Sequence, residues 1–454
     1  MPPMPAAIMS LVLSSGLSLP THRLPVRHTV LRPVTMSSAE DTPSPVESQL
    51  ALFASLRARQ IAIDRQVHQR WRDGTPATSI PITLNDWVRR LALDWPLAAC
   101  GTARGGLVVM DLAAGALLAC AQTAHPGAVS SEDVAHDMRQ LNGEYDGNGV
   151  IAVAMRAGRV ASAGREGGVR LWQLVGDELV PECDLQTGVL ASSLLLPGHE
   201  QGSLWGGFFD GTLRKWTQLE ACRVTGAEPD VIITCGSPVL AAACCPELGL
   251  VAAATAGGTV ELYGDTDGVP RGVWKAVAPD GSAEAPRARS VCFVLDEATG
   301  GWSVFVGGSD GSIRRRGLVR RSPSAAEAGG TSPDTTEDVS RDAAENVSPD
   351  AAQGAASPTS FFVQGAVMSE LLPSHRGAVV ALTAGPAGLL VSGAHDGTVR
   401  IWDVAQHKCL YGLGGYKVWL GSVCTDGKRL VSDGSDNSLV MHDFSTEIPS
   451  LEGR

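Results

Sequence analysis

Beyond residue 80 the chain alternates apolar and polar positions in short runs, and a Gly-containing turn breaks nearly every pair of runs. The clearest unit is Ser374 to Val404, SHRGAVVALTAGPAGLLVSGAHDGTVRIWDV. Its last run alternates with period two, which puts Val399 and Ile401 on one face of a strand and Arg400 on the other. Asp396-Gly397 is hairpin chemistry, because Gly accepts positive φ and the Asp carboxylate accepts backbone N–H groups. Taking Trp402 as the anchor, equivalent turn-and-strand units recur upstream and downstream. They read GTARGGLVVMD with Met110, SAGREGGVRLW with Trp172, GGFFDGTLRKW with Trp216, AATAGGTVELY with Tyr263, VGGSDGSIRRR with Arg316 and SDGSDNSLVMHD with His442. The anchors are spaced by 62, 44, 47, 53, 86 and 40 residues. The short spacings match one four-stranded unit of roughly 40–45 residues, and the long ones contain insertions at 123–147 and 321–360. Seven small antiparallel sheets follow, none able to bury both of its apolar faces alone.

Ahead of the first sheet the period changes. Ser44-Pro45-Val46-Glu47 has the form of a helix-capping box, and Leu52, Leu56, Ile63, Val67 and Trp71 recur mostly every fourth residue. This predicts a helix within 44–74, stopped at Asp73-Gly74 and docked on the sheets through that stripe; a partner-binding helix is the sharper reading of the same pattern. The strand-like run Ile80 to Leu84 precedes the first sheet, while the last unit ends at Phe444 without room for a fourth strand.

The seven-fold pattern resembles the WD-repeat family. The resemblance implies an all-β, seven-bladed β-propeller over 80–445, to which the residue pattern adds an N-terminal α-helix and a disordered leader. It also implies that a hydrogen-bonded tetrad of His, Ser or Thr, Asp and Trp holds each blade. In the sixth unit these are His375, Ser392, Asp396 and Trp402. Partial sets are Ser162 with Trp172, Asp210 with Trp216, Asp310 in the fifth unit, and Ser432 with Asp436, where His442 takes the Trp place. The fifth unit departs from the pattern by putting Arg316 where an apolar anchor belongs. WD-repeat rings close by letting the N-terminal strand complete the final blade, a role that falls to 80–84.

Composition changes this picture at the ends and in one loop. No acidic residue precedes Glu40, and Arg23, Arg27 and Arg32 lie among Ser, Thr and Pro, so residues 1–43 read as a leader directed to a plastid or another organelle. A true start at Met36 would leave the protein in the cytoplasm. Residues 321–360 hold almost no large apolar group and are expected to be disordered; Ser322, Ser332, Ser348 and Ser357 each precede Pro and are candidate phosphorylation sites. Residues 446–454 form a C-terminal tail. A formal charge of −12 argues against a nucleic-acid partner, and no apolar run is long enough for a membrane span.

Few motifs suggest chemistry. Gly307-Gly308-Ser309-Asp310-Gly311 matches the G-x-S-x-G pattern of hydrolases, but that motif needs a strand, an elbow and a helix, and here two strands flank a turn. Gly198-His199 reads as a solvated turn. Cysteines and histidines are scattered without metal spacing, and neither a P-loop nor a dinucleotide fingerprint occurs, so no cofactor, metal or catalytic centre is expected. The basic run from Arg314 through Arg315, Arg316 and Arg320 to Arg321 reads either as a site for phosphate groups or RNA or as a solvated outer strand. The leading functional reading is a scaffold or adaptor that binds proteins or peptides through the propeller face, with Arg165, Phe209, Arg376, His395 and Tyr416 as contacts. A substrate receptor for a ubiquitin ligase is the alternative. Trp71-Arg72-Asp73-Gly74 is similar to the W-x-x-G segment of F-box WD-repeat proteins, although no F-box precedes it and Trp402-Asp403 is not followed by the Arg expected for docking to the cullin-4 adaptor.

Overall fold

A computed structural model describes residues 45–84, 86–125, 149–197, 202–217, 219, 227–275, 286–297, 299–320, 361–362, 369–371, 373–416, 420–433 and 437–445. The leader, Ser44, the insertion beyond residue 125, the 321–360 segment with its four Ser-Pro sites, Gly198-His199, Asp436 and the tail all lie outside the described residues. Each alternating run is a strand, and the strands of the described residues assort into seven antiparallel sheets. The innermost strands are Val88–Asp94, Val150–Arg156, Ala191–Leu195, Val239–Cys245, Ala288–Asp296, Val379–Ala384 and Val423–Thr425. Each contacts the next, and the last contacts the first, so the sheets are seven blades around an axis.

The apolar clusters fall between blades rather than within them. One joins Leu250 and Leu262 of blade four to Val291, Phe293 and Val304 of blade five; another joins Val431, Leu439 and Met441 of blade seven to Leu91, Cys100 and Met110 of blade one. Burial of roughly 1.5–3 kcal/mol per large apolar side chain is therefore realised only when neighbours stack. The ring closes by strand exchange. Thr78–Thr83 pairs with Ser438–Asp443, in register from Thr78 opposite Asp443 to Thr83 opposite Ser438, which leaves no unpaired outer strand on blade seven.

Two details of register shape the axis. In six blades the pairing of the innermost strand slips by one residue at the same place, beside Arg89, Ile151, Ser192, Leu240, Arg289 and Val380. A bulge of this kind re-aims the extra residue, here to the axial end of the strand. On the second strand, the position facing the next blade is small. A Cβ on Gly101 would stand 2.5 Å from Val150, and one on Gly393 would stand 2.3 Å from Leu420. Blade seven alone carries a larger group there, Asp433, whose carboxylate accepts the N–H groups of Gly421 at 2.7 Å and Ser422 at 2.9 Å.

The predicted helix forms as α1, Pro45–Asp73. Its stripe is buried over only part of its length. Val67 and Trp71 are buried among Ile401, Leu430 and Phe444, with the Trp71 ring stacked 4.2 Å from Phe444, while Leu52 and Leu56 are exposed. The spacing identifies residues that share a face; it carries no information on how far a receiving surface extends. Arg72 forms an ion pair with Asp403, the residue after the blade-six Trp. In blade five the long third strand, Ile313–Arg320, pairs with two short pieces, Phe361–Phe362 and Ser369–Glu370.

Candidate functional site

The turns between second and third strands lie on one face of the ring, and buried hydrogen bonds set their shape. In blade six the indole N–H of Trp402 donates to Ser392 Oγ at 2.8 Å, and Ser392 meets His375 Nε2 at 2.8 Å. His375 Nδ1 then reaches Asp396 Oδ2 at 3.0 Å. Because indole only donates, the chain of bonds runs from Trp402 through the Ser392 hydroxyl and a neutral imidazole to the carboxylate. Burial pushes the His375 pKa down despite Asp396. Burial alone would raise Asp396, yet bonds from Thr398, the Arg376 N–H and His375 hold it below the usual carboxylate range.

Blade two repeats this arrangement in full. Trp172 Nε1 donates to Ser162 Oγ at 2.9 Å, His125 Nε2 lies 2.8 Å from the same oxygen, and His125 Nδ1 contacts Glu166. Sequence reasoning found Ser162 and Trp172 but missed His125 and Glu166. Glu166 stands four residues after Ser162 and six before Trp172, the offsets of Asp396 in blade six, and that spacing was the available signal. His125 is hidden because it precedes the long insertion and lies thirty-seven residues from Ser162 rather than seventeen. The acids have a second, shared partner four residues on: Arg170 at 3.3 Å from Glu166, Arg214 at 2.6 Å from Asp210, Arg314 at 2.8 Å from Asp310, and Arg400 at 3.8 Å from Asp396.

The other blades depart from the tetrad. In blade three Gly206 stands at the Ser position, so the Trp216 indole donates to the carbonyl of Ala227 at 2.9 Å. Asp310 accepts from Ser312 and Arg314. In blade seven Ser432 is held by the hydroxyl of Tyr416 at 2.9 Å, whereas His442 turns outward to Ser79 Oγ at 2.7 Å on the closing strand. Tyr416, read from the sequence as a contact residue, therefore does the work of the tetrad His, and His442 does not replace the Trp.

Of the remaining face residues, Arg165, Phe209 and His395 occupy the same turn position in blades two, three and six, one residue before the acid. Phe209 is half-buried against the cluster between blades two and three, so the neighbouring blade accounts for it. Arg376 is exposed beside Asp396, to which its N–H donates at 2.9 Å. His395 faces the axial channel, and burial, helped by Arg289 and Arg90, pushes its pKa down to about 4.

The channel has a volume of about 330 Å³ and its described wall carries the titratable groups Arg89, Arg90, Arg289, His395 and Asp433. Asp433 is pushed up to about 7, chiefly by burial, against the N–H groups of Ser422 and Gly421 and the charge of Arg90. Of the basic run of blade five, Arg314, Arg315 and Arg316 are engaged by their own blade and its neighbours, while the Arg320 side chain and Arg321 lie outside the described residues. Arg314 is buried on Asp310, Arg315 bonds Ser303, the Val404 carbonyl and His407, and Arg316 lies over the Trp274 ring at 5.2 Å. A strand whose every second residue enters a blade interface cannot present three guanidinium groups to solvent.

Nucleophile chemistry has no support in the described turns. Ser309 Oγ accepts the Arg287 N–H at 3.0 Å in a strand–turn–strand setting, and burial pushes the Cys244 and Cys245 thiols up to about 12, far from a reactive thiolate. Among the described residues no three His, Cys, Asp or Glu converge as a metal site, and no helix is long and apolar enough to cross a membrane.

A ring of seven antiparallel sheets closed by strand exchange is a β-propeller. The model for the WD domain, G-beta repeat, matches residues 367–403, the blade-six unit with its full tetrad, so that unit is a WD repeat within the seven-bladed ring. It is 43% identical over 68 residues to nuclear distribution protein PAC1-2 of Uncinocarpus reesii, covering 13% of this chain and 15% of that protein. It is 38% identical over 69 residues to cell division control protein 4 of Saccharomyces cerevisiae, covering 15% and 9%. It is 37% identical over 75 residues to ribosome biogenesis protein YTM1 of Candida albicans, covering 15% and 16%. The chain thus spans less than a fifth of the length of these curated relatives.

Proposed function

We propose that the protein is a non-catalytic scaffold that binds a protein or peptide on the turn face, around the mouth of the axial channel. The supporting observation is the pair of complete tetrads in blades two and six. They hold the turns bearing Arg165 and His395, and the loop bearing Arg376, so that the backbone of these turns has little freedom left to lose on binding. A preorganised surface of this kind binds with less entropic cost than mobile loops. Three relatives whose names point to different cellular roles agree with a shared platform rather than a shared reaction.

The test is capture of partners by the full chain, compared with an Arg165→Glu, Arg376→Glu double variant and with Lys408→Glu, an exposed change at the start of the fourth strand of blade six, on the other face. Specific partners lost with the first variant and kept with the second agree with the reading. Partners retained by the double variant and lost with Lys408→Glu place the binding surface elsewhere.

A further inference from the structure

We propose that the rim at the closure seam, where blade seven meets blade one, is a self-association surface on which a second copy of this chain packs about a two-fold axis. The seam is set apart first by charge. The segment 74–84 contains the closing strand Thr78–Thr83, and the segment 112–124 contains the outer strand of blade one, Ala116–Ala121. Neither segment holds an Asp, Glu, Lys or Arg. Both lie largely on the surface, where Leu117 is 57% and Ile80 41% exposed although both are apolar. They meet at a groove of about 320 Å³ lined by Ile80, Ile82, Leu84, Met110 and Leu117.

In blades two, three, four and six the outer strand is guarded. Glu178–Gln186 carries Glu178, Glu182 and Asp184, Pro270–Lys275 carries Arg271 and Lys275, and Lys408–Leu413 opens on a lysine. Val231–Thr234 is only four residues long and follows Asp230. Charge, proline and shortness are the means by which an exposed sheet edge turns other chains away. The closing strand has Pro81, but Ala116–Ala121 has neither charge nor proline, and the exposed turn before it is Ala-Ala-Gly. The occupant follows from the net charge. At −12, copies of the chain repel wherever their charged surfaces meet. A two-fold contact sets each patch against itself, so a charged patch opposes its own sign and an uncharged apolar patch does not. A different protein would be steered by complementary charge, which this rim does not offer. Fifteen residues of the two segments are exposed, fewer than the roughly 20–30 a side of a standard interface. The contact is therefore reversible, and concentration sets the share of dimer.

The experiment is sedimentation velocity of the purified full chain over a wide range of concentration, at low and at high salt. The expected result is a monomer–dimer series whose dissociation constant holds or falls as salt rises, because salt screens the repulsion between copies and leaves apolar burial intact. Leu117→Lys is expected to raise that constant about tenfold or more, since each copy loses a buried leucine and gains a charge in the shared contact. Lysine lowers the net negative charge, so this weakening cannot come from general repulsion. Val273→Lys, the same kind of change on the exposed outer strand of blade four, is expected to leave the constant unchanged. Ala116→Lys takes the place of Leu117→Lys if the denaturation midpoint shows that the latter does not fold. A monomer at every concentration, a dimer that the seam variant leaves intact, equal weakening by Val273→Lys, or a dimer that salt disperses overturns the surface.

Discussion

Replacing His125 by Ala tests whether blade two is held as blade six is. His125 is 1% exposed and bonds both Ser162 and Glu166, so its loss strips two groups of their partner. An orphaned buried hydroxyl costs about 1–3 kcal/mol, and the imidazole-sized void adds a further roughly 1–2 kcal/mol if the wall does not collapse. A total near 3 kcal/mol is expected. Ser162→Ala removes the acceptor for Trp172 and the partner of His125, and should cost a similar amount. Because the two changes break one shared bond, the double variant should fall short of the sum by about 1 kcal/mol or more. Chemical denaturation followed by tryptophan fluorescence gives the cycle, and hydrogen exchange on 150–186 shows whether the loss is local to blade two. A His125→Ala protein within about 0.5 kcal/mol of the parent, or strict additivity with Ser162→Ala, would refute the tetrad.

Other outcomes follow from burial and charge. Trp71→Ala removes a fully buried ring stacked on Phe444 and should cost roughly 3–5 kcal/mol in a denaturation midpoint experiment; a change below about 1 kcal/mol would mean the helix end is not docked. Two channel groups oppose each other in pH. Asp433, raised from 3.8 to about 7, favours the folded state as pH falls through that window, whereas His395, lowered from 6.5 to about 4, costs stability as pH falls below 6.5. By linkage the Asp433 shift is worth at most about 4 kcal/mol and the His395 shift at most about 3 kcal/mol, and water in the open channel reduces the His395 share. The parent should therefore show a shallow stability profile between pH 7 and 4, and Asp433→Asn should expose a steeper acid loss; parallel profiles would show that Asp433 does not titrate there. A fluorescent fusion of residues 1–60 is expected to enter a plastid or another organelle, and a uniform cytoplasmic signal would remove that proposal.

Period-two runs and hairpin turns were enough to place the blades, because a strand that stacks between neighbours must alternate small and large residues in a repeating register. The site was less legible. His125 was hidden by an insertion that stretched its distance from Ser162, and a carboxylate on a longer stem, Glu166, replaced the usual Asp. Tyr416 looked like a surface aromatic because the sequence does not show that a phenol can hold Ser432 where blade six uses an imidazole. The arginines of 314–316 looked like one patch because they are adjacent in sequence, yet successive residues of a strand point to opposite faces. Arg89 and Arg289 carried no signal at all, since a bulge is a property of pairing and shows only when the register is seen.

Closure by Thr78–Thr83 on Ser438–Asp443 ties residues near the two ends of the ring into a single sheet. During synthesis the first six blades must wait as an open arc, with their terminal strands exposed, until residue 443 has left the ribosome. A clip or deletion at either end then has the same effect on blade seven, so the two termini share one fate although hundreds of residues separate them.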